Sequence, residues 1–163
     1  MTKEEFMVNF FIEHPSEITV CECGLKNCHG WKRVVKHFLS YNEVDRICDD
    51  LGKILNANYE DINLIAVANG GIIPAAILAY KLKDNVKSIT IAKTDEVFEI
   101  TDDFSSYLIV DDVCDTGKTF ENLEVKNGKF DTVALIFKPW STYKPTYFGM
   151  ATTDWIVLPW EKE

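Results

Sequence analysis

Residues 107–120 read YLIVDDVCDTGKTF, an apolar run that ends in two adjacent carboxylates, Asp111 and Asp112, before a third, Asp115, and the turn Thr116, Gly117, Lys118, Thr119. A short apolar run bounded by polar residues is how a strand covered on both faces reads. Hydroxyls, a glycine and the free amides at the start of a following helix make a cradle for a phosphate. Carboxylates beside such a cradle cannot themselves favour phosphate. They suit ribose hydroxyls, a divalent metal, or proton transfer to a base. An ordinary acidic turn at a strand end would not require these features in this order.

Working outward, the same alternation recurs on both sides. Upstream, residues 62–68 (INLIAVA) form another almost wholly apolar run, followed by the turn Asn69, Gly70, Gly71 and a helical stretch from Pro74 (PAAILAYKL). Strands are expected at residues 86–92, 107–110 and 132–137, with a short helix near Thr119. Residues 40–43 (SYNE) are a capping-box pattern, and Val44, Ile47, Cys48, Leu51, Ile54 and Leu55 follow the spacing of an amphipathic helix that residues 56–59 end. Strands alternating with helices predict an α/β fold with a mostly parallel twisted sheet, helices on its faces and right-handed crossovers. Ligands of such sheets sit at the carboxyl ends of the strands, where these loops lie.

Length and composition narrow the class. A chain of 163 residues that is 47% apolar suffices for one ordinary domain core, and 12% aromatic content argues against disorder. A net charge of -9 leaves no basic stripe for a nucleic-acid backbone, so no nucleic-acid partner is expected. No apolar stretch approaches the ~20 residues of a membrane span, and the start MTKEEF has no basic region followed by a hydrophobic one. No membrane association and a cytoplasmic location are the expectation.

The 107–120 segment resembles the phosphoribosyl pyrophosphate (PRPP) motif of type I phosphoribosyltransferases. The resemblance implies that Asp111 and Asp112 hold the ribose hydroxyls, directly or through Mg2+, and that Asp115, Thr116, Gly117, Lys118 and Thr119 wrap the 5-phosphate. AVANGGIIPAAILAY at residues 66–80 resembles the family's pyrophosphate loop, with Asn69, Gly70 and Gly71 around the anion and a non-proline cis peptide at Asn69–Gly70 or next to it. Residues 138–161, KPWSTYKPTYFGMATTDWIVLPWE, look like the purine-binding end of xanthine-guanine phosphoribosyltransferases. That likeness implies Lys138 on the exocyclic O6, Trp155 on the purine face and the Ile156 carbonyl on a 2-amino group. A flat π-system favours an aromatic platform and a carbonyl edge favours a cation.

Three motifs in order imply transfer of 5-phosphoribosyl from PRPP to guanine, xanthine or hypoxanthine, with Asp115 as general base and with Asp111 and Asp112 in the catalytic set. They also imply purine salvage, a type I fold with a small hood from the C-terminal segment, and a homodimer. The resemblance covers roughly residues 38–163, and residues 1–39 are read as an N-terminal, Cys-containing extension before a transferase domain at 40–163. Two departures stand out. Asn69 occupies a position where the bacterial enzymes usually carry a basic residue, a role that Lys93 or a neighbouring subunit would have to take. The interval 93–106, where the family keeps a mobile lid, is short and acidic.

Those departures keep two other readings open. One is a non-catalytic relative that binds PRPP or a nucleotide and regulates another process. The other is a phosphoribosyltransferase for another base. A third, an interaction module built on the extension, has only the basic patch Lys32, Arg33 and Lys36 behind it. Within the extension, Cys21, Cys23, Cys28 and His29 offer thiolate and imidazole ligands suited to a structural Zn2+. Their spacing is not that of a standard zinc ribbon, and partly buried thiols in a loop are the plainer reading. His14 and His37 read as solvated or core histidines.

Overall fold

The capping box forms as the sequence predicts. The Ser40 backbone amide donates to Glu43 Oε2 at 2.7 Å while the Glu43 amide donates to Ser40 Oγ at 3.3 Å, and helix α1 runs from there over Tyr41–Asn58. The computed structural model describes residues 17–20, 33–98 and 106–161. The remaining elements are β1 (Glu17–Val20), β2 (Arg33–Phe38), β3 (Ile62–Val67), α2 (Ile72–Leu82), β4 (Val86–Ala92), β5 (Ser106–Cys114), α3 (Lys118–Asn127), β6 (Asp131–Phe137), β7 (Tyr147–Ala151) and β8 (Trp155–Val157). The chain divides into two compact units, one comprising Asp45–Thr152 and the other the flanking segments through Val44 and from Thr153.

In the larger unit five strands form a sheet in the order β4-β3-β5-β6-β7, and every neighbouring pair is parallel. Parallel strands cannot be joined by tight turns, so each crossover must carry a helix or a loop across a face. Burial explains the apolar runs, because Leu64, Ile65, Ala66, Leu108, Ile109, Val110, Val133, Ala134, Leu135 and Ile136 are all inaccessible or nearly so. Successive side chains alternate between faces. Ile65, Val67, Ile109 and Ala134 accordingly share a cluster with Phe120 and Leu123 of α3, while α2 packs on β3 and β5.

Ile47, Cys48, Leu51 and Leu55 bury the apolar stripe of α1, and Lys81 of α2 reaches Asp45 at 2.7 Å and Asp49 at 2.8 Å on α1. At the amino ends of β6 and β7, Tyr59 donates to Asp131 Oδ2 at 2.6 Å and lies 3.0 Å from the Tyr147 hydroxyl.

The structure departs from the sequence reading at β5, which continues four residues past Val110. The ladder with β6 runs on through Asp111↔Ala134 and Val113↔Ile136, so the adjacent carboxylates belong to the strand and not to the loop after it. Helix α2 likewise begins at Ile72, two residues before Pro74, which is tolerated because a first-turn residue has no intrahelical use for its N–H.

In the smaller unit β1 pairs antiparallel with β2, and β2 pairs parallel with β8, with Lys36 opposite Trp155 and His37 opposite Ile156. His37 is buried with Nδ1 3.4 Å from Asp154 Oδ2. Among the described residues no helix is long and apolar enough to cross a membrane. Cys21, Cys23, Cys28 and His29, the candidate zinc ligands, lie outside the described residues, as does His14. No group of three or more His, Cys, Asp or Glu that could hold a metal ion occurs among the described residues.

Candidate functional site

The carboxyl ends of the adjacent strands β3 and β5 bring the glycine turn and the acidic pair together. After Val67 the turn is pinned by the Gly71 amide on the Val67 carbonyl at 2.8 Å and by the Ala68 amide on the Ala92 carbonyl at 2.9 Å. The peptide between Ala68 and Asn69 is cis, within the range expected from the sequence. Gly70 passes so close to Asp112 that a Cβ there would lie 2.5 Å from Oδ1, and a Cβ on Gly71 would strike the Val110 carbonyl. Gly71 is therefore required by its close approach to backbone, while at Gly70 a methyl would displace the Asp112 carboxylate. Asn69 is exposed at the tip, and Lys93, also exposed, follows the carboxyl end of the neighbouring strand β4.

The two carboxylates interact but differ in burial, Asp111 being buried and Asp112 partly exposed. Asp111 is 8% exposed, and burial, reinforced by the nearby Asp112 charge, pushes its carboxyl up to about 8. Its Oδ1 accepts the Asp112 amide at 2.9 Å, and Asp112 Oδ1 accepts the Val113 amide at 2.6 Å. A hydrogen-bonded, desolvated acid beside a second carboxylate is a poor place for an anion unless a cation or a sugar hydroxyl lies between them.

The turn at residues 115–117 and the start of α3 follow at once. Gly117 takes φ +88° as the residue before α3, and a Cβ there would also lie 2.5 Å from Tyr143 Cβ, so glycine is fixed by conformation and by space. The first amides of α3 have no intrahelical partner, and that of Lys118 donates to the Thr116 hydroxyl oxygen at 3.4 Å. Residues after β6 brace this loop, the Thr142 amide and hydroxyl both donating to the Thr116 carbonyl at 3.2 and 2.9 Å.

Lys138 stands at the end of β6 beside this loop, its amide bonded to the Cys114 carbonyl at 3.0 Å. Lys138 is only 6% exposed. Asp115 is exposed, and its Oδ1 accepts the indole N–H of Trp140 at 2.8 Å. The sequence reading passed over Trp140, whose one signal was an aromatic directly after the Lys-Pro pair. Trp155 and Ile156 belong to β8 of the smaller unit, Trp155 61% exposed and Ile156 buried.

A parallel sheet with a glycine turn over one strand end and an acidic pair leading into a helix-start cradle at the next defines the type I phosphoribosyltransferase class. Its fold is shared by the crystal structure of a purine phosphoribosyltransferase from Pyrococcus horikoshii, at a TM-score of 0.66 and 30% identity, covering 78% of this chain and 95% of that one. A Helicobacter pylori xanthine-guanine-hypoxanthine phosphoribosyltransferase has the same fold, at a TM-score of 0.65 and 21% identity over 77% of this chain and 93% of that one. No family model matches the chain.

In sequence, the xanthine-guanine phosphoribosyltransferase of Desulfotalea psychrophila is 30% identical over 114 residues, 61% of this chain and 70% of that protein. Its counterpart from Idiomarina loihiensis is 27% identical over 146 residues, 81% of this chain and 91% of that protein. The chain belongs to the purine phosphoribosyltransferase family.

Proposed function

We propose that this protein transfers the 5-phosphoribosyl group of PRPP to N9 of a 6-oxopurine, releasing pyrophosphate, in purine salvage. The observation that supports the reading is the meeting of the Gly70 turn, after β3, with Asp112 on the adjacent strand β5, which leads into residues 115–119.

In this reading the amides of Gly70, Gly71 and the turn residue Asn69 approach the pyrophosphate, Thr116, Gly117, Lys118 and Thr119 hold the 5-phosphate, and Asp111 and Asp112 face the ribose hydroxyls. N9 bonds to the anomeric carbon as the bond from that carbon to the pyrophosphate oxygen breaks, and the base loses a proton. Asp115 accepts that proton through the purine N7 side. Lys138 donates to O6, Trp155 stacks on the ring and the Ile156 carbonyl takes a 2-amino hydrogen.

Two hard-oxygen side chains suit Mg2+, which takes one or two carboxylates when substrate phosphates supply the rest, so Asp111 and Asp112 fit it. Bound there, it would neutralise charge on the leaving pyrophosphate. The same reading treats residues 40–163 as the transferase domain, residues 1–39 as an extension and the working form as a homodimer.

The test offers guanine, xanthine, hypoxanthine and adenine separately with PRPP and Mg2+ and follows nucleotide and pyrophosphate. Product with a 6-oxopurine and none with adenine is expected. Saturable PRPP binding without product from any base would overturn the transfer reading in favour of a PRPP-binding regulator, to which the neutral Asn69 at the turn would then belong. Asp115→Asn should lower turnover more than affinity, and Lys138→Ala should weaken discrimination among bases.

A further inference from the structure

The edge of a 6-oxopurine that carries O6 also carries N7. A protein that reads both needs a cation and a carboxylate at a fixed separation, and the groups assigned to those atoms above are Lys138 and Asp115. One side chain touches both. Trp140 donates its Nε1 hydrogen to Asp115 Oδ1 at 2.8 Å, and Lys138 Nζ lies 5.5 Å from the centroid of the same indole. Asp115 is exposed, and an exposed carboxylate otherwise samples several rotamers. The indole N–H is a donor with no acceptor function, so it occupies one oxygen and cannot take up the proton that Asp115 collects. Its face attracts the ammonium that lies over it.

The backbone under Trp140 is held independently of its ring. The Ser141 amide closes a turn on the Lys138 carbonyl at 2.9 Å, and the Thr142 hydroxyl lies 2.9 Å from the Thr116 carbonyl and 2.7 Å from Glu121 Oε1, with one hydrogen to share between them. The indole is itself 56% exposed, so little core packing depends on it. An aromatic this exposed, with its one polar hydrogen on a carboxylate of the cradle loop and its face under a buried lysine, has a placement that folding alone does not demand.

We infer that Trp140 is a positioning residue for base transfer: its N–H fixes Asp115 Oδ1, leaving Oδ2 to receive the purine proton, and its ring seats Lys138 for O6. The inference rests on the 6-oxopurine reading and deepens it by naming what holds the N7 and O6 groups in register. Trp140→Phe keeps a ring beneath Lys138 and removes only the hydrogen bond. Trp140→Ala removes both.

Steady-state kinetics on the full chain with PRPP, Mg2+ and the accepted base decide it. W140F is expected to lose roughly 10- to 100-fold in kcat, the scale of one hydrogen bond to a charged group, with KM for PRPP unchanged. The W140F/D115N double variant should be no slower than D115N alone, because Trp140 acts through Asp115. W140A should in addition raise KM for the base. Turnover by W140F within about twofold of the unsubstituted protein, or losses that multiply in the double variant, overturns the inference while leaving the transfer reading intact. Absence of product from the unsubstituted protein overturns the transfer reading and the inference with it.

Discussion

Gly70 lies directly against the carboxylate of Asp112, with room for a hydrogen and none for a methyl: a Cβ would be 2.5 Å from Oδ1 and 2.6 Å from Oδ2. Gly70→Ala forces Asp112 out of its rotamer or lifts the turn. The clash is with the end of a side chain, so the stability cost is expected to be about 1 kcal/mol. A displaced carboxylate and turn should nonetheless lower kcat/KM for PRPP by roughly 10- to 100-fold. Wild-type kinetics in this variant would exclude a role for the Gly70–Asp112 arrangement.

Gly117 presents the opposite balance. At φ +88° an alanine is strained before any contact is made, and its Cβ would also meet Tyr143 Cβ at 2.5 Å and the Tyr143 amide nitrogen at 2.8 Å. Gly117→Ala should cost about 2–4 kcal/mol of unfolding free energy in urea titration and weaken PRPP binding with it. Gly128, at φ +89° with nothing within 4 Å, should cost only the conformational part, about 1 kcal/mol, on the same substitution.

Asp111 ties stability to pH. Its native carboxyl is pushed up to about 8 by burial and by the Asp112 charge, against the ordinary 3.8. Between those values the native protein holds a proton that the unfolded chain has released, so stability falls as pH rises from about 4 toward 8. Asp111→Asn removes the penalty. The stability of its ligand-free form relative to the unsubstituted protein should rise between pH 5 and pH 9 by up to about 4 kcal/mol, ~1.4 kcal/mol for each of the three units below 8, while its turnover collapses. Equal melting curves for the two proteins at both pH values would remove the burial argument.

Tyr59 supplies a contrast far from the chemistry. Burial and its bonds to Asp131 at 2.6 Å and Tyr147 at 3.0 Å hold its phenol well above the usual value, so it stays a neutral donor. These partners begin β6 and β7, at the end of the sheet opposite the turn at residues 115–117. Tyr59→Phe should cost about 1–2 kcal/mol by leaving Asp131 short of a donor. Turnover at 25 °C should not change, and a large loss of kcat would mean that the two ends of the sheet are coupled.

Much of this was legible in the chain because burial leaves a local record. The apolar runs at residues 62–68 and 132–137 appear as buried strands since a parallel sheet covers both faces, and Ser40 and Glu43 announce α1 since a cap is made within four residues. The order of carboxylates, Thr and Gly after β5 likewise reads locally as a cradle. What was not legible depends on partners distant in sequence. The continuation of β5 through Asp111 and Asp112 rests on the β6 ladder. The addition of β7 to the sheet edge and the pairing of β8 with β2 rest on strands that no local periodicity names.

The amino-acid sequence by itself determined the alternating α/β order, the glycine turn and the acidic phosphate loop, because each is written in adjacent residues through propensity, capping and apolar period. Only the tertiary structure decided that Asp111 is buried while Asp112 faces Gly70, and that Trp140 holds Asp115 from 25 residues away. The face a strand residue takes, and the donor a carboxylate meets, are set by which strands and loops pack beside it, and that is a property of the folded chain.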